Sequence, residues 1–263
     1  MEGGKEEKGI VCVTGGAGYI GSWLIMRLLQ RGYTVRATVR LDPELNRDIS
    51  HLTNLPGASE KLQIFNADLK NPQSFDTAID GCVGVFLVAY PVNLEQIEVD
   101  DAANEMLVEG TLELLKACLK SKTVKRVVYT STAGAVVANN KDLMEMDESS
   151  WSDIDFCRTV KAHGSSYIIP KTLIEQATLK FAEENRLDLV SIIPSLFRDI
   201  YFYSNALGQK GDTSAHLLLS EMKEQKSVHL SPKKLLSLGF KFKYDMKEMF
   251  DGAIQSCKEK GFL

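Results

Sequence analysis

The stretch IVCVTGGAGYIGSWLIMRLLQ, from Ile10 to Gln30, decides the fold. Ile10 to Thr14 is a short β-branched run of the kind that forms a buried strand. It stops at a cluster of glycines. Tyr19 to Gln30 then carries Ile20, Trp23, Leu24 and Leu28 at helical spacing before Gly32. Within the turn, Gly15-x-x-Gly18-x-x-Gly21 lets the backbone bend tightly and approach a pyrophosphate, while the helix N-terminus offers it unpaired N–H groups. Turn glycines are common, and a plain strand-to-helix turn is the competing reading. The strand before and the helix after favour a dinucleotide cradle built by Gly15, Gly18, Tyr19, Ile20 and Gly21.

Outward from that unit the alternation repeats. Thr34–Val39, Leu62–Phe65, Val83–Ala89, Arg126–Thr130 and Leu187–Ile193 read as further strands. Helical candidates lie at 45–54, 73–80, about 95–120 and Tyr167–Asn185. The pattern predicts an α/β fold: a doubly wound parallel Rossmann-type sheet with helices on both faces and a ligand crevice at the carboxyl ends of the strands. After Pro194 the pattern degrades into an aromatic, loop-like stretch at 200–211, a helical stretch at 214–226, a basic turn at Pro232–Lys234 and an amphipathic helix at 245–259. The expected division is a Rossmann domain over 1–193 and a small, truncated C-terminal lobe over 194–263.

Composition narrows the function. The 263 residues are 44% hydrophobic and 25% charged, the proportions of a globular protein with a sizeable core. A net charge of −4 offers no basic field for a nucleic acid. The uncharged stretch between Gly81 and Glu95 is too short to span a bilayer, and the polar N-terminus lacks the pattern of a secretory signal. Cys12, Cys82, Cys118, Cys157 and Cys257 are odd in number and scattered, as expected of buried thiols in a reducing cytoplasm. No metal site is expected.

Which dinucleotide binds turns on the end of the second strand. An acidic residue there takes a ribose 2′-hydroxyl, whereas arginine suits a 2′-phosphate. Arg40 ends that strand, Arg36 shares its face by the two-residue period, and Arg47 follows, which points to NADPH/NADP+. Asp42, as an acidic reader favouring NAD, is the alternative. After the third strand, Asp68 is positioned either to accept from an adenine amino group or to cap the helix that begins near Asn71 and Pro72. Leu69, Val88, Ala89, Pro194 and Ser195 complete the assigned cofactor set.

The third constellation is chemical. Tyr167 and Lys171 stand four apart on one helix face, where a lysine ammonium is expected to lower the phenol's pKa. Ser131 and Thr132 end the fifth strand, and the Thr132 hydroxyl is suited to hold a substrate carbonyl oxygen. Of the 8 tyrosines, Tyr167 alone has a lysine at this spacing.

TGGAGYIG, NADL, YTST and YxxxK, in that order, resemble the extended short-chain dehydrogenase/reductases. SWLIMRLLQRGYTVRATVR, LTNLPGASEKL, GCVGVF, SKTVKRVVYTS, WSDIDFCR and PKTLIEQA are similar to the plant flavonoid reductase group, of the dihydroflavonol and vestitone reductase type. The likeness runs from 9 to about 196 and resumes over 230–263. It implies Gly15, Gly18 and Gly21 at the pyrophosphate, Arg40 at the 2′-phosphate, Asp68 and Leu69 near the adenine, and Thr132, Tyr167 and Lys171 as the catalytic set, with Lys171 also on the cofactor ribose. Four departures stand out. Thr132 replaces the group's usual serine, Leu87 its usual histidine, and Pro170 the serine before the lysine. Pro170 is compatible with a first helical turn but is also able to displace Tyr167. After Pro194 and Ser195, much of the group's substrate lobe is missing.

The resemblance thus implies an NADPH-dependent reductase of a flavonoid or isoflavonoid ketone, cytoplasmic, acting on a small phenolic carbonyl. Two alternatives stand beside it. One is an NADP-binding protein of impaired catalysis serving as an interaction or regulatory module; the other is a reductase of a different phenylpropanoid carbonyl. The shortened lobe is expected to expose Phe197, Tyr201, Phe202 and Tyr203 and to favour self-association.

Overall fold

The structure is a computed structural model that describes residues 8–40, 48–91, 99–141, 145–160, 164–194 and 229–259. Six parallel strands form one sheet: β1 (Ile10–Val13), β2 (Thr34–Val39), β3 (Leu62–Asn66), β4 (Gly84–Leu87), β5 (Arg126–Thr130) and β7 (Leu189–Ile192). Their order is β3-β2-β1-β4-β5-β7. The order reverses at β1 and β4, which opens a crevice at their carboxyl ends.

Strand periodicity separates two cores. Val11 and Val13 of β1 join Val35, Ala37 and Val39 of β2 against α1 (Tyr19–Gln30), which buries Ile25, Leu28 and Leu29. Cys12 between them turns to the opposite face, with Val85, Leu87, Val127 and Tyr129. That face is covered by Phe75, by Ala78 and Ile79 of α4 (Asp76–Ile79), by Leu114, Leu115 and Cys118 of α5 (Asp101–Ser121), and by Ile174 of α8 (Ser165–Glu184). The predicted two-sided sheet is therefore present. Removing a fully buried side chain such as Ile25 would cost about 2–5 kcal/mol.

Among the described residues coverage is incomplete at one edge. Val190 and Ile192 of β7 are 39% and 51% exposed, against the expectation of a strand buried on both faces. Among the described residues β7 has a strand neighbour on one side only, β5.

The helical candidate at 45–54 appears, over its described residues, as α2 (Ser50–Thr53), and that at 73–80 as a 3-10 turn at Pro72–Phe75 followed by α4. Several short elements escaped the sequence reading. They are α3 (Ala58–Lys61), α6 (Gly134–Val137), β6 (Glu145–Met146), α7 (Ile154–Val160), β8 (His229–Leu230) and α9 (Lys233–Ser237). Each is too short to show a period. The basic turn expected at 232–234 is the start of α9. Its Lys233 and Lys234 pair with Glu145 and Glu148 at 3.0 and 3.3 Å. β6 and β8 pair in parallel, and α10 (Met246–Glu259) follows as predicted. Leu238, Phe240, Phe242 and Tyr244 are exposed along this C-terminal segment. The aromatic stretch at 200–211, the helix expected at 214–226, and Phe197, Tyr201, Phe202 and Tyr203 lie outside the described residues.

Four cysteines are buried free thiols, as expected; the side chain of Cys257 is outside the described set. Burial raises their pKa values, to about 11 for Cys82 and about 12 for Cys118. Among the described residues no helix is long and apolar enough to cross a membrane.

Candidate active site

The cradle after β1 is set by backbone contacts. Gly15 sits at φ +69, and a Cβ there would lie 2.8 Å from the Ala89 Cα. Both the conformation and the approach require glycine. Thr14 fixes the opposing wall, because its hydroxyl oxygen accepts from the N–H groups of Val88 and Ala89 at 2.9 and 3.0 Å. Gly16 N–H donates to the Thr38 carbonyl at 2.8 Å, holding the loop against the end of β2. At the start of α1, a Cβ on Gly21 would come within 2.3 Å of the Gly15 carbonyl oxygen. The helix begins at Gly18 with no side-chain cap and no acidic residue in its first turn. Its N–H groups are left for an external anion. Tyr19 is exposed and Ile20 half-buried at this mouth. A pyrophosphate fits a cradle that side chains would fill.

Arg40 lies two residues beyond Thr38, exposed, with no hydrogen bond or ion pair to any described residue. Arg36 is different. Its guanidinium donates to the carbonyls of Thr77 and Asp80 and lies 5.8 Å from the centre of the Phe65 ring. It serves the end of α4, so it is not part of an anion site with Arg40. Arg47, Asp42 and Ser195 lie outside the described residues. Asp68 accepts from Lys70 N–H at 3.0 Å, an Asx turn. It does not cap the next turn; Asn71 holds that position. Leu69 packs on the core beside α5.

Thr132, Tyr167 and Lys171 come together at the carboxyl end of β5. The Pro194 carbonyl accepts from Ala133 N–H at 3.0 Å and the Ile192 carbonyl from Ser131 N–H at 2.8 Å, so the end of β7 braces the Thr132 loop. Tyr167 stands edge-on to Tyr90, ring centres 5.5 Å apart. Burial raises the Tyr167 pKa, and interaction with the Thr132 side chain lowers it in part. Lys171 is 3% exposed. Its ammonium donates to the Thr130 carbonyl at 2.7 Å and lies 4.6 and 5.0 Å from the ring centres of Tyr129 and Tyr90. Burial pulls its pKa down to about 7 against the opposing charge of Glu175. The expectation that Lys171 lowers the Tyr167 pKa is not met. The ammonium is turned onto a carbonyl, and desolvation governs the phenol.

Pro170 also differs from expectation. Helix α8 starts at Ser165, after Gly164 at φ +91, so Pro170 lies beyond the first turn. It is buried, and the helix continues through it to Glu184. Leu87 fills the core where the family's usual histidine would stand.

The sequence reading missed Tyr90, Thr14, Glu175 and Ser191. Glu175 is 1% exposed and its two carboxylate oxygens accept hydroxyl protons from Ser131 and Ser191. Its position four residues after Lys171 on the same helix was the available signal.

A doubly wound sheet with a glycine cradle at its switch point, and a Thr, Tyr and Lys set beside it, defines an oxidoreductase of the extended short-chain dehydrogenase/reductase class. The comparisons agree. The chain belongs to the NAD dependent epimerase/dehydratase family, which it matches over residues 11–198. It is 41% identical to vestitone reductase of Medicago sativa, with 98% of this chain and 99% of that protein covered. It is 43% identical to noscapine synthase SDR1 of Papaver somniferum, covering 98% and 96%. A bifunctional dihydroflavonol 4-reductase/flavanone 4-reductase of Pyrus communis is 37% identical, covering 96% and 92%. The crystal structure of the alfalfa vestitone reductase superposes with a TM-score of 0.77 at 39% identity, covering 97% of this chain and 100% of that one. The vestitone reductase alignment runs over 324 positions against the 263 residues here, so at least 61 positions have no residue in this chain.

Proposed function

We propose that the chain is an NADPH-dependent reductase of a flavonoid or isoflavonoid ketone, with Thr132, Tyr167 and Lys171 as its catalytic set. One observation carries the reading: Thr132, Tyr167 and Lys171 converge beside a cradle that only glycine permits. Gly15, Gly18, Tyr19, Ile20 and Gly21 hold the pyrophosphate, Arg40 with Arg47 the 2′-phosphate, and Asp68 with Leu69 the adenine. Val88, Ala89, Pro194 and Ser195 line the nicotinamide end. When bound, the reduced nicotinamide supplies a hydride to the carbonyl carbon.

The protein's own groups handle the proton. A raised pKa keeps the Tyr167 phenol protonated at neutral pH, ready to donate to the oxygen that gains charge. Thr132 donates a hydrogen bond to that oxygen and fixes its position. Lys171, whose ammonium is held at the Thr130 carbonyl, would supply a further donor to the cofactor ribose. The names of the relatives, vestitone reductase and dihydroflavonol 4-reductase, support a phenolic carbonyl substrate.

Residues 1–193 form the cofactor half and 194–263 a reduced substrate lobe in a cytoplasmic protein. The 61 or more unmatched alignment positions favour a second reading, in which cofactor binding is near normal and turnover weak, with the protein serving as a binding or regulatory module. Exposed Val190, Ile192, Leu238, Phe240 and Phe242 are consistent with self-association in that state. NADPH oxidation by the purified chain with a panel of flavonoid and phenylpropanoid carbonyls, beside full-length vestitone reductase, tests both. Turnover comparable to the relative supports the first reading. Tight NADPH binding without turnover supports the second, and no NADPH binding refutes both.

A further inference from the structure

We propose that Glu175 is a positioning residue for this reaction: a buried carboxylate one helical turn beyond Lys171 that shapes the surroundings of the lysine and, through Ser131 and Ser191, ties the ends of β5 and β7 beneath the active site. Carboxylates are almost never fully buried without a partner. At 1% exposure Glu175 has two hydrogen-bond partners, the hydroxyls of Ser131 and Ser191, and it lies one turn along α8 from Lys171, whose ammonium is bonded at Thr130, the residue before Ser131. If α8 needed only to pack here, an apolar side chain would do so without desolvating a charge.

The surroundings of Lys171 give the carboxylate its task. From its own helix Lys171 faces Tyr167 and Glu175, from β5 Tyr129 and the Thr130 carbonyl, and from the end of β4 Tyr90. Glu175 is the one acidic side chain among the described residues that acts on it. Burial drives the lysine toward neutrality, and Glu175 opposes that drive. A neutral Lys171 would lose one donor toward a ribose. Ser131 immediately precedes Thr132, so the same carboxylate also steadies the hydroxyl assigned to the substrate oxygen.

This inference rests on the reductase reading, and its test does not depend on turnover. Glu175→Gln keeps the shape and accepting oxygen and removes the charge. The Lys171 side chain is titrated by ¹³C-lysine NMR in the protein without cofactor, with Lys171→Arg to assign the signal. NADPH dissociation constants are then measured across pH. The Lys171 midpoint is expected to fall by about one pH unit or more in Glu175→Gln, a roughly tenfold loss of proton affinity. The pH at which NADPH affinity declines should fall in parallel. An unchanged midpoint in folded Glu175→Gln overturns the proposal, even if the variant is less stable. Should that variant fail to fold, Glu175→Met removes the charge with an apolar side chain of similar length; a fall of the midpoint in the same direction supports the role, and no shift overturns it. Absence of NADPH binding to the unmodified protein would count against the reductase reading alone, because the lysine titration still decides the part played by Glu175.

Discussion

Gly21→Ala sets two effects of known size against each other. Gly21 lies inside α1, where alanine is intrinsically better than glycine by about 1 kcal/mol. Against that gain, the new methyl would sit 2.3 Å from the Gly15 carbonyl oxygen, 3.0 Å from the Gly15 carbonyl carbon and 3.0 Å from the Gly16 Cα. Ordinary contact requires the loop to withdraw by roughly 1 Å, a strain of about 1–3 kcal/mol. The loop has little freedom to withdraw. Gly15 faces Ala89, which Thr14 holds in place, and Gly16 is bonded to Thr38. Net destabilisation should therefore be small, about 0–2 kcal/mol. The moved atoms are those proposed to receive the pyrophosphate, so the NADPH dissociation constant should rise at least tenfold, about 1.4 kcal/mol. Urea unfolding gives the first quantity and fluorescence titration with NADPH the second. Affinity within threefold of the unmodified protein would refute the argument that this close approach shapes the cofactor site.

Arg40→Asp should weaken NADPH at least tenfold and spare NADH, since a guanidinium paired to a 2′-phosphate is replaced by a like charge; equal affinities for the two cofactors in the unmodified protein would remove Arg40 from that role. Tyr167→Phe keeps the ring against Tyr90 and removes the proton, so any turnover should drop by about 10²-fold with cofactor affinity retained, and steady-state kinetics with NADPH binding check both. Lys171 has a folded pKa near 7, below its ordinary value of 10.5. Between those pH values the unfolded chain holds more protons at this site than the folded one, so the site's contribution to stability rises with pH across that window. Lys171→Met should abolish that rise, seen as the difference between the two proteins' urea midpoints from pH 7 to 9; an identical pH dependence would contradict the burial argument. Thiol reagents at pH 8 should leave Cys12, Cys82 and Cys118 unlabelled until the protein unfolds, because burial raises all three pKa values; rapid labelling of the native protein would show that this core opens.

The sheet was legible because its strands are short apolar runs punctuated by glycine, and their spacing allowed few other arrangements. Thr34–Val39 and Arg126–Thr130 match the structure at both ends. The exposure of β7 was not legible, because LVSI has the same composition whether a neighbour covers it or not. The Thr, Tyr and Lys set could be read from order and spacing. The state of Lys171 could not, since it depends on Thr130, Tyr129 and Tyr90 arriving from other elements. Arg36 shows the limit of face arithmetic. It occupies the predicted face of β2, but the helix end that claims it lies more than forty residues away.

The small β6 and β8 ladder bears on how such a chain tolerates a change of length. Glu145 pairs with His229 and Met146 with Leu230, so the chain is anchored on both sides of the interval that follows β7. A segment strung between two fixed posts contributes a closure entropy that varies only with the logarithm of its length. Removing some sixty residues from it changes that entropy by about 1 kcal/mol, in favour of the shorter loop. All six strands of the large sheet precede that interval, so their pairings do not depend on its length. The ladder thus marks a fixed point that meets the chain again beyond an interval whose length is free to change.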